Sequence, residues 1–121
     1  AVATAFTLAA LEPWNSGLGG IGFTQVMSPG GEAETFDFGP VAPAGLDPSA
    51  FVLTGRMKDD LFPWPEVAGD RNVHGPLSCV VPSAVAGYAL LHARHGRLPM
   101  RDLLAPAVAH AKRGLPQDWY T

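Results

Sequence analysis

Apolar residues fill the first eleven positions on nearly every side, and apolar and polar residues alternate a little further along the chain. The first pattern predicts a largely buried helix over residues 1–11, ended by Glu12-Pro13. After a glycine-rich turn over residues 14–22, the period-two alternation of residues 23–27 predicts a strand. The tetrapeptide Ser28-Pro29-Gly30-Gly31 is typical of a hairpin turn, so residues 34–38 are predicted to form the returning strand.

The middle of the chain carries weaker signals. Residues 39–47 form a proline-rich loop, and Asp47-Pro48 predicts one helical turn at residues 49–51. Residues 52–77 show no sustained periodicity and are interrupted by Phe62-Pro63 and Trp64-Pro65. They are therefore predicted to be irregular, as segments of a site, lid or interface often are. A short strand is predicted at residues 77–81.

Two helices are predicted to close the chain. The first runs from about residue 83 to residue 95, with Gly96 as a left-handed stop and three basic side chains that complement its C-terminal dipole, namely His92, Arg94 and His95. The second spans residues 101–113, broken or restarted at Pro106, with Gly114 beyond its end. The order helix, hairpin, loop, helix, helix predicts an α+β or layered α/β unit.

Composition and charge exclude several classes of protein. The 121 residues are 47% hydrophobic and 16% charged, which is typical of one globular domain. The first basic residue is Arg56, and five acidic residues precede it, so this half would repel phosphates and no nucleic-acid partner is expected. No apolar run approaches the ~20 residues needed to cross a bilayer, so no membrane partner is expected either. The first helix lacks a Ser, Thr, Asp or Asn cap, which predicts a chain cut inside a helix, a piece of a longer protein.

Several motifs suggest chemistry that their context does not favour. Residues 17–22 match G-x-G-x-x-G, but a helix precedes them and a strand follows, the reverse of a dinucleotide site. These glycines instead predict a close backbone approach to a neighbouring element or a substrate. His92 and His95 have a spacing that could hold a metal, yet no acidic residue joins them on that helix face, so no metal is predicted. The adjacent pair Asp59-Asp60 favours a turn or loop cap over an acid/base pair.

The single cysteine excludes an internal disulfide. Cys79 lies in an apolar run, which predicts a small buried side chain.

A set of short matches, dispersed over residues 1 to about 114, carries a family resemblance. It includes Glu12-Pro13, the turn Ser16 to Phe23, Asp37-Phe38 with Ala42-Pro43, Val81-Pro82 with Val85-Ala86-Gly87, His95 to Pro99, Leu103 to Ala107, and Arg113-Gly114. Each match is weak alone, but their order and spacing together resemble the N-terminal part of the large subunit of the γ-glutamyltranspeptidases.

The resemblance implies an N-terminal-nucleophile hydrolase fold, in which two sheets lie between helical layers. It also implies a precursor that cleaves itself, so the partner of residues 1–121 would be the C-terminal part, or small subunit, of the same precursor. In that family the small subunit begins with threonine, whose hydroxyl attacks an amide with its own α-amine as the base, and no cofactor is required. Ala1 has no hydroxyl, and every threonine of this chain has an acylated nitrogen, namely Thr4, Thr7, Thr24, Thr35, Thr54 and Thr121. No catalytic residue is therefore expected here, and this chain alone should be inert.

Two positions depart from the family pattern. An arginine that holds the substrate's α-carboxylate follows Asp-Phe in transpeptidases, but here Gly39 follows Phe38, and both are expected to line the substrate pocket. Arg56 or Arg71 could replace that arginine only by folding back. Ser83 stands where the family usually has glycine, and we expect a local backbone adjustment there.

The departure at Gly39 predicts a small amide substrate other than a γ-glutamyl compound, as in oxamate amidohydrolases and cephalosporin acylases. The alternative is a non-catalytic binding or interaction module derived from the same family, with residues 52–77 and the first helix as its surface.

Overall fold

A computed structural model describes residues 1–59, 61–115 and 119 of the chain. The chain divides into two compact units, one formed by Ala1–Pro40 with Pro82–Thr121 and the other by Val41–Val81. The first unit contains helices α1 (Val2–Leu11), α2 (Pro13–Ser16), α3 (Ala84–His95) and α4 (Met100–Arg113), and strands β1 (Gly22–Met27) and β2 (Ala33–Phe38). The second contains strands β3 (Leu53–Asp59) and β4 (Pro63–Val67).

The predicted first helix and first hairpin are both confirmed. In α1 the hydroxyl of Thr7 donates to the carbonyl of Ala3 at 2.8 Å, which satisfies a polar group in an apolar helix. Strands β1 and β2 pair antiparallel with Phe23 opposite Asp37. The predicted glycine-rich turn is shorter than expected, because its first residues belong to the short helix α2, for which Pro13 is a favourable first residue.

The core of the first unit lies between α1, β2, α3 and α4. Its buried members are Val2, Phe6, Phe36, Leu91 and Ala107. The Phe6 and Tyr88 rings meet edge to face with centroids 5.3 Å apart, an arrangement that aromatic quadrupoles favour.

The two closing helices are confirmed, with two corrections. Helix α4 continues through Pro106 without the predicted break, although proline lacks the N–H of a helical hydrogen bond. The next residue, Ala107, is buried in the core. Gly96 has a φ of −72° and is not a left-handed stop. Gly114, which follows α4, does adopt a left-handed φ of 86°.

The second unit corrects the prediction of an irregular segment over residues 52–77. Strands β3 and β4 pair antiparallel, with an irregularity between Leu53 and Met57 that contains Gly55 at a φ of 79°. Arg56 donates to Glu66 through Nε at 3.0 Å and Nη2 at 2.6 Å, a forked ion pair across the strands. The bulge disturbs the period-two pattern and prolines occupy β4, so the pairing was hidden from a periodicity argument.

Three local predictions in the second unit had different outcomes. The helical turn predicted after Asp47 is confirmed as a 3₁₀ turn at Pro48–Ala50. The Asp47 carboxylate caps it by accepting a hydrogen bond from the Ser49 N–H at 2.9 Å. Hydrogen bonding to Ser49, through its side chain and its backbone N–H, holds the pKa of the Asp47 carboxyl below its ordinary value. The strand predicted at residues 77–81 is wrong, because a 3₁₀ turn occupies Pro76–Ser78. Cys79 is exposed, whereas a buried side chain was predicted.

No helix in the part of the chain that the structure describes is both long and apolar enough to cross a membrane.

Candidate functional site

The glycine-rich turn, the end of β2 and the start of α3 meet around Phe38 and Gly39, a place that we call the Phe38–Gly39 junction. The carbonyl of Gly20 accepts hydrogen bonds from the N–H groups of Ser83 at 3.1 Å and Ala84 at 3.0 Å. These two N–H groups lie at the start of a helix and have no partner within it. The backbone of the turn therefore supplies their acceptor and fixes the position of α3 relative to β1.

The ring of Phe38 lies against two glycines. A Cβ atom on Gly22 would lie 2.8 Å from Cε2 of this ring, and one on Gly87 would overlap the ring at its root. On a third side, the Tyr88 ring meets Phe38 edge to face at a centroid distance of 5.7 Å. The prediction that the turn's glycines permit a close approach to a neighbouring element is confirmed for Gly22.

The hydroxyl of Ser83 forms a contact that sequence reasoning missed. It donates to the carbonyl oxygen of Phe38 at 2.5 Å, across 45 positions of the chain, and makes no capping bond to α3. Ser83 therefore ties the last residue of β2 to the first turn of α3. The sequence signal was the expectation, from the family resemblance, of glycine after Val81-Pro82, but the bonding partner of Ser83 is distant in sequence and could not be inferred.

Gly39 is buried at the end of β2. Its N–H donates to Oδ1 of Asp37 at 2.8 Å. A Cβ atom at this position would lie 2.7 Å from Cζ of Phe23, well inside normal contact distance. The Phe23 ring thus occupies the space that a side chain of residue 39 would enter.

Arg56 and Arg71, the two arginines considered as replacements for a basic side chain at position 39, lie in the second unit and have partners within it. The guanidinium of Arg56 is engaged by Glu66, and that of Arg71 donates to the carbonyl of Ala50 at 3.4 Å. Within the described residues of the first unit, no ion pair or hydrogen bond joins a lysine or arginine to Asp37, Phe38 or Gly39. The charge nearest to Gly39 is the carboxylate of Asp37.

The two histidines of α3 have separate partners. Nε2 of His92 lies 2.8 Å from the carbonyl of Leu98, and Nε2 of His95 lies 2.8 Å from Oε2 of Glu34. Glu34 also pairs with Arg94, so an acidic residue does join this helix face, contrary to the prediction. It comes from β2, which helix spacing alone could not reveal. The described part of the chain holds no cluster of three or more His, Cys, Asp or Glu residues that could bind a metal.

An open groove lies on another side of the first unit. Its volume is about 750 Å³, and its walls come from the start of α1, from β1, and from the end of α3 with the residues that follow it. The walls are largely apolar, with His92, His95 and Arg97 among the polar lining residues.

Comparison with known proteins places these features in a family. The γ-glutamyltranspeptidase family model matches residues 1–121. A glutathione hydrolase proenzyme from Pseudomonas aeruginosa is 34% identical over 114 residues, which cover 94% of this chain and 19% of the relative. The acylase ACY 1 proenzyme of a Pseudomonas species is 29% identical over 114 residues, covering 94% of this chain and 20% of the relative. The γ-glutamyltranspeptidase of Pseudomonas nitroreducens, solved in complex with L-DON, matches with a TM-score of 0.75 at 30% identity, over 91% of this chain and 30% of that chain.

The described residues include helices packed on an antiparallel hairpin, and they match the fold of a solved transpeptidase chain. This confirms the predicted fold class, an α+β part of an N-terminal-nucleophile hydrolase. The chain belongs to the γ-glutamyltranspeptidase family. It spans 15% to 20% of the length of the curated relatives that it matches.

Proposed function

We propose that residues 1–121 are part of the large subunit of a self-cleaving amidohydrolase or acyltransferase that acts on a small acyl amide. The attacking hydroxyl and its α-amine base belong to an N-terminal threonine outside these residues, and the reaction passes through an acyl-enzyme. The word proenzyme in the names of the relatives from Pseudomonas supports a precursor that is processed. The partner of this chain is then the C-terminal part of the same precursor.

The observation that carries the substrate assignment is the uncharged Phe38–Gly39 junction. An arginine at position 39 would hold a substrate carboxylate through charge-assisted hydrogen bonds, which contribute about 1.5–3 kcal/mol. Gly39 has no side chain, and the residue nearest to it that carries charge is Asp37. The enzyme is therefore not a true γ-glutamyl transferase, and its affinity for a γ-glutamyl group should be lower by roughly tenfold or more.

A panel of p-nitroanilides tests this proposal directly. The full-length, processed protein is offered γ-glutamyl, glutaryl and pentanoyl p-nitroanilide, which share a leaving group and a chain of similar length. We expect kcat/KM for the pentanoyl compound, whose acyl chain alone among the three carries no carboxylate, to exceed that for the γ-glutamyl compound by roughly tenfold. A clear preference for the γ-glutamyl compound would contradict the assignment.

A substitution adds a second test of the same point. Gly39→Arg should raise kcat/KM for the γ-glutamyl compound relative to the pentanoyl one. Gln25→Arg is the matched control. It adds the same charge at an exposed position of the neighbouring strand β1 and leaves Gly39 unchanged. Equal effects of the two variants would show that only net charge matters.

The 121-residue chain alone should hydrolyse none of these amides, because it lacks a terminus that carries both an amine and a hydroxyl. Of the internal threonines, the Thr7 hydroxyl is already bound to the carbonyl of Ala3. Hydrolysis by the purified chain, free of a second polypeptide, would refute the mechanism.

The apolar groove favours a second candidate, a non-catalytic module that binds another polypeptide. The two candidates predict different results. The module predicts a full-length protein that is inactive on every amide of the panel, and that loses a binding partner when Leu98, which lines the groove, is changed to Asp.

A further inference from the structure

Phe23 is an exposed aromatic residue on strand β1, at the edge of the Phe38–Gly39 junction. Its side chain is 65% exposed, whereas Phe6 and Phe36 are buried in the core. An aromatic ring left in solvent contributes little to folding, because most of its apolar area is not removed from water. The position of Phe23 on β1 therefore calls for an explanation other than core packing.

The ring is placed against Gly39. A Cβ on Gly39 would lie 2.7 Å from Cζ and 3.1 Å from Cε1 of Phe23. The backbone of Gly39 is not in the left-handed region, so its conformation would accept a side chain. The ring, rather than the backbone, is what fills the space at position 39.

The charge beside this ring disfavours an anionic ligand. Asp37 lies opposite Phe23 in the register of the hairpin, and its Oδ1 would be 3.0 Å from a Cβ on Gly39. A ligand carboxylate held this close to Asp37 would be repelled, and no lysine or arginine among the described residues of the first unit pairs with Asp37. The surface next to Gly39 therefore presents an apolar ring edge and one negative charge.

We propose that Phe23 is a specificity-determining residue of the site: its ring takes the place of a side chain at position 39 and forms the contact surface for an uncharged, apolar acyl group. This inference rests on the proposed amide hydrolysis. A rigid aromatic plate gives an acyl chain a large contact area at low entropic cost, as the walls of many small-molecule sites do. The substrate class is then the N-acyl amides whose acyl chain carries no carboxylate.

The main experiment compares two substitutions in the full-length, processed protein. Phe23→Ala should lower kcat/KM for pentanoyl p-nitroanilide by roughly tenfold, the loss expected when about two methylene groups lose their apolar contact. The γ-glutamyl compound should change by less than threefold. Phe23→Leu keeps most of the volume and should recover most of the activity, which guards against a variant that merely folds poorly.

Met27→Ala is the matched control. Met27 is 74% exposed and lies on the same face of β1 as Phe23, four residues along, but it makes no contact with Gly39. Its removal should leave both kcat/KM values unchanged.

A double-mutant cycle tests the geometric part of the proposal. Gly39→Ala adds a Cβ that must displace the Phe23 ring, so it should lower activity on the pentanoyl compound in the natural background. In the Phe23→Ala background the same change should have little effect, because no ring remains to be displaced. The two substitutions are then strongly non-additive.

Three outcomes overturn the inference in distinguishable ways. If the full-length protein hydrolyses none of the amides, the proposed function fails and the inference falls with it. If it hydrolyses them but Phe23→Ala lowers both rates equally, Phe23 does not select the acyl group although the function stands. If Gly39→Ala and Phe23→Ala act additively, the ring does not occupy the position of a side chain at residue 39.

Discussion

Replacing Gly87 by alanine should destabilise the first unit, although the same change stabilises most helices. Gly87 lies in the first half of α3, where alanine is favoured over glycine by about 1 kcal/mol. The added Cβ would overlap the Phe38 ring at its root, where rotation of the ring cannot relieve the contact. Inserting a methyl group into a packed position costs about 1–3 kcal/mol.

The surroundings of Phe38 decide which effect is larger. The outer edge of the ring lies against Gly22, where a Cβ atom would be 2.8 Å from Cε2, and the backbone carbonyl of Phe38 accepts a hydrogen bond from Ser83. Because these contacts restrict movement of the ring, we expect the steric cost to exceed the gain in helix propensity, with a net loss of about 1–2 kcal/mol.

Hydrogen exchange in the full-length protein measures this loss locally. A loss of about 1.4 kcal/mol would speed exchange of the α3 amides roughly tenfold. Phe38→Leu should reduce the effect of Gly87→Ala, because it shrinks the ring that the methyl group meets. Slower exchange in Gly87→Ala than in the natural protein would refute the close packing of Phe38 on α3.

Three further predictions concern single contacts. Ser83→Ala removes the bond to the Phe38 carbonyl and should speed exchange of the Phe38 and Gly39 amides by roughly three- to tenfold, equivalent to about 1 kcal/mol, whereas unchanged exchange would show that the bond is not formed. Lys58→Met should raise the pKa of Asp70, which the 2.6 Å hydrogen bond from Lys58 holds below its ordinary value, and a carboxyl NMR titration would follow it. Since the folded-state pKa of Asp70 is lowered, its stabilising contribution is present above the ordinary carboxyl range and is lost as pH falls through the lowered value. Cys79 should react with a thiol reagent in the native protein without a lag, and reaction only after denaturation would place it inside the fold.

Periodicity predicted the elements that pack against a single core. Each of these elements buries apolar side chains, and the spacing of those side chains along the chain indicates a helix or a strand. They are α1, α3, α4 and the hairpin β1–β2. Residues of this kind, such as Phe36 and Leu91, are buried as a direct result. Boundaries were predicted to within one or two residues, because capping and turn residues lie next to the elements that they end.

Cross-strand charge pairs, by contrast, are invisible to periodicity. The hairpin β3–β4 is held by the pair of Arg56 and Glu66, ten positions apart, around a bulge at Gly55. The link from Glu34 to α3 spans about sixty positions. Such pairs depend on which elements lie side by side in the fold, and the periodicity of a single sequence does not predict that arrangement.

The two departures from the family pattern, taken separately in the sequence, meet at one peptide in the structure. Ser83 holds the carbonyl of Phe38, and the next residue, Gly39, leaves room for the Phe23 ring. A change at position 39 therefore acts on a backbone that is already fixed and on a space that is already filled. An arginine placed there must first turn the ring aside, and because the obstructing atoms are the far end of an exposed ring, that movement costs less than a backbone shift would. The gain in γ-glutamyl activity from Gly39→Arg should consequently be larger in the Phe23→Ala background than in the natural one. A gain of the same size in both backgrounds would mean that the ring does not restrict residue 39.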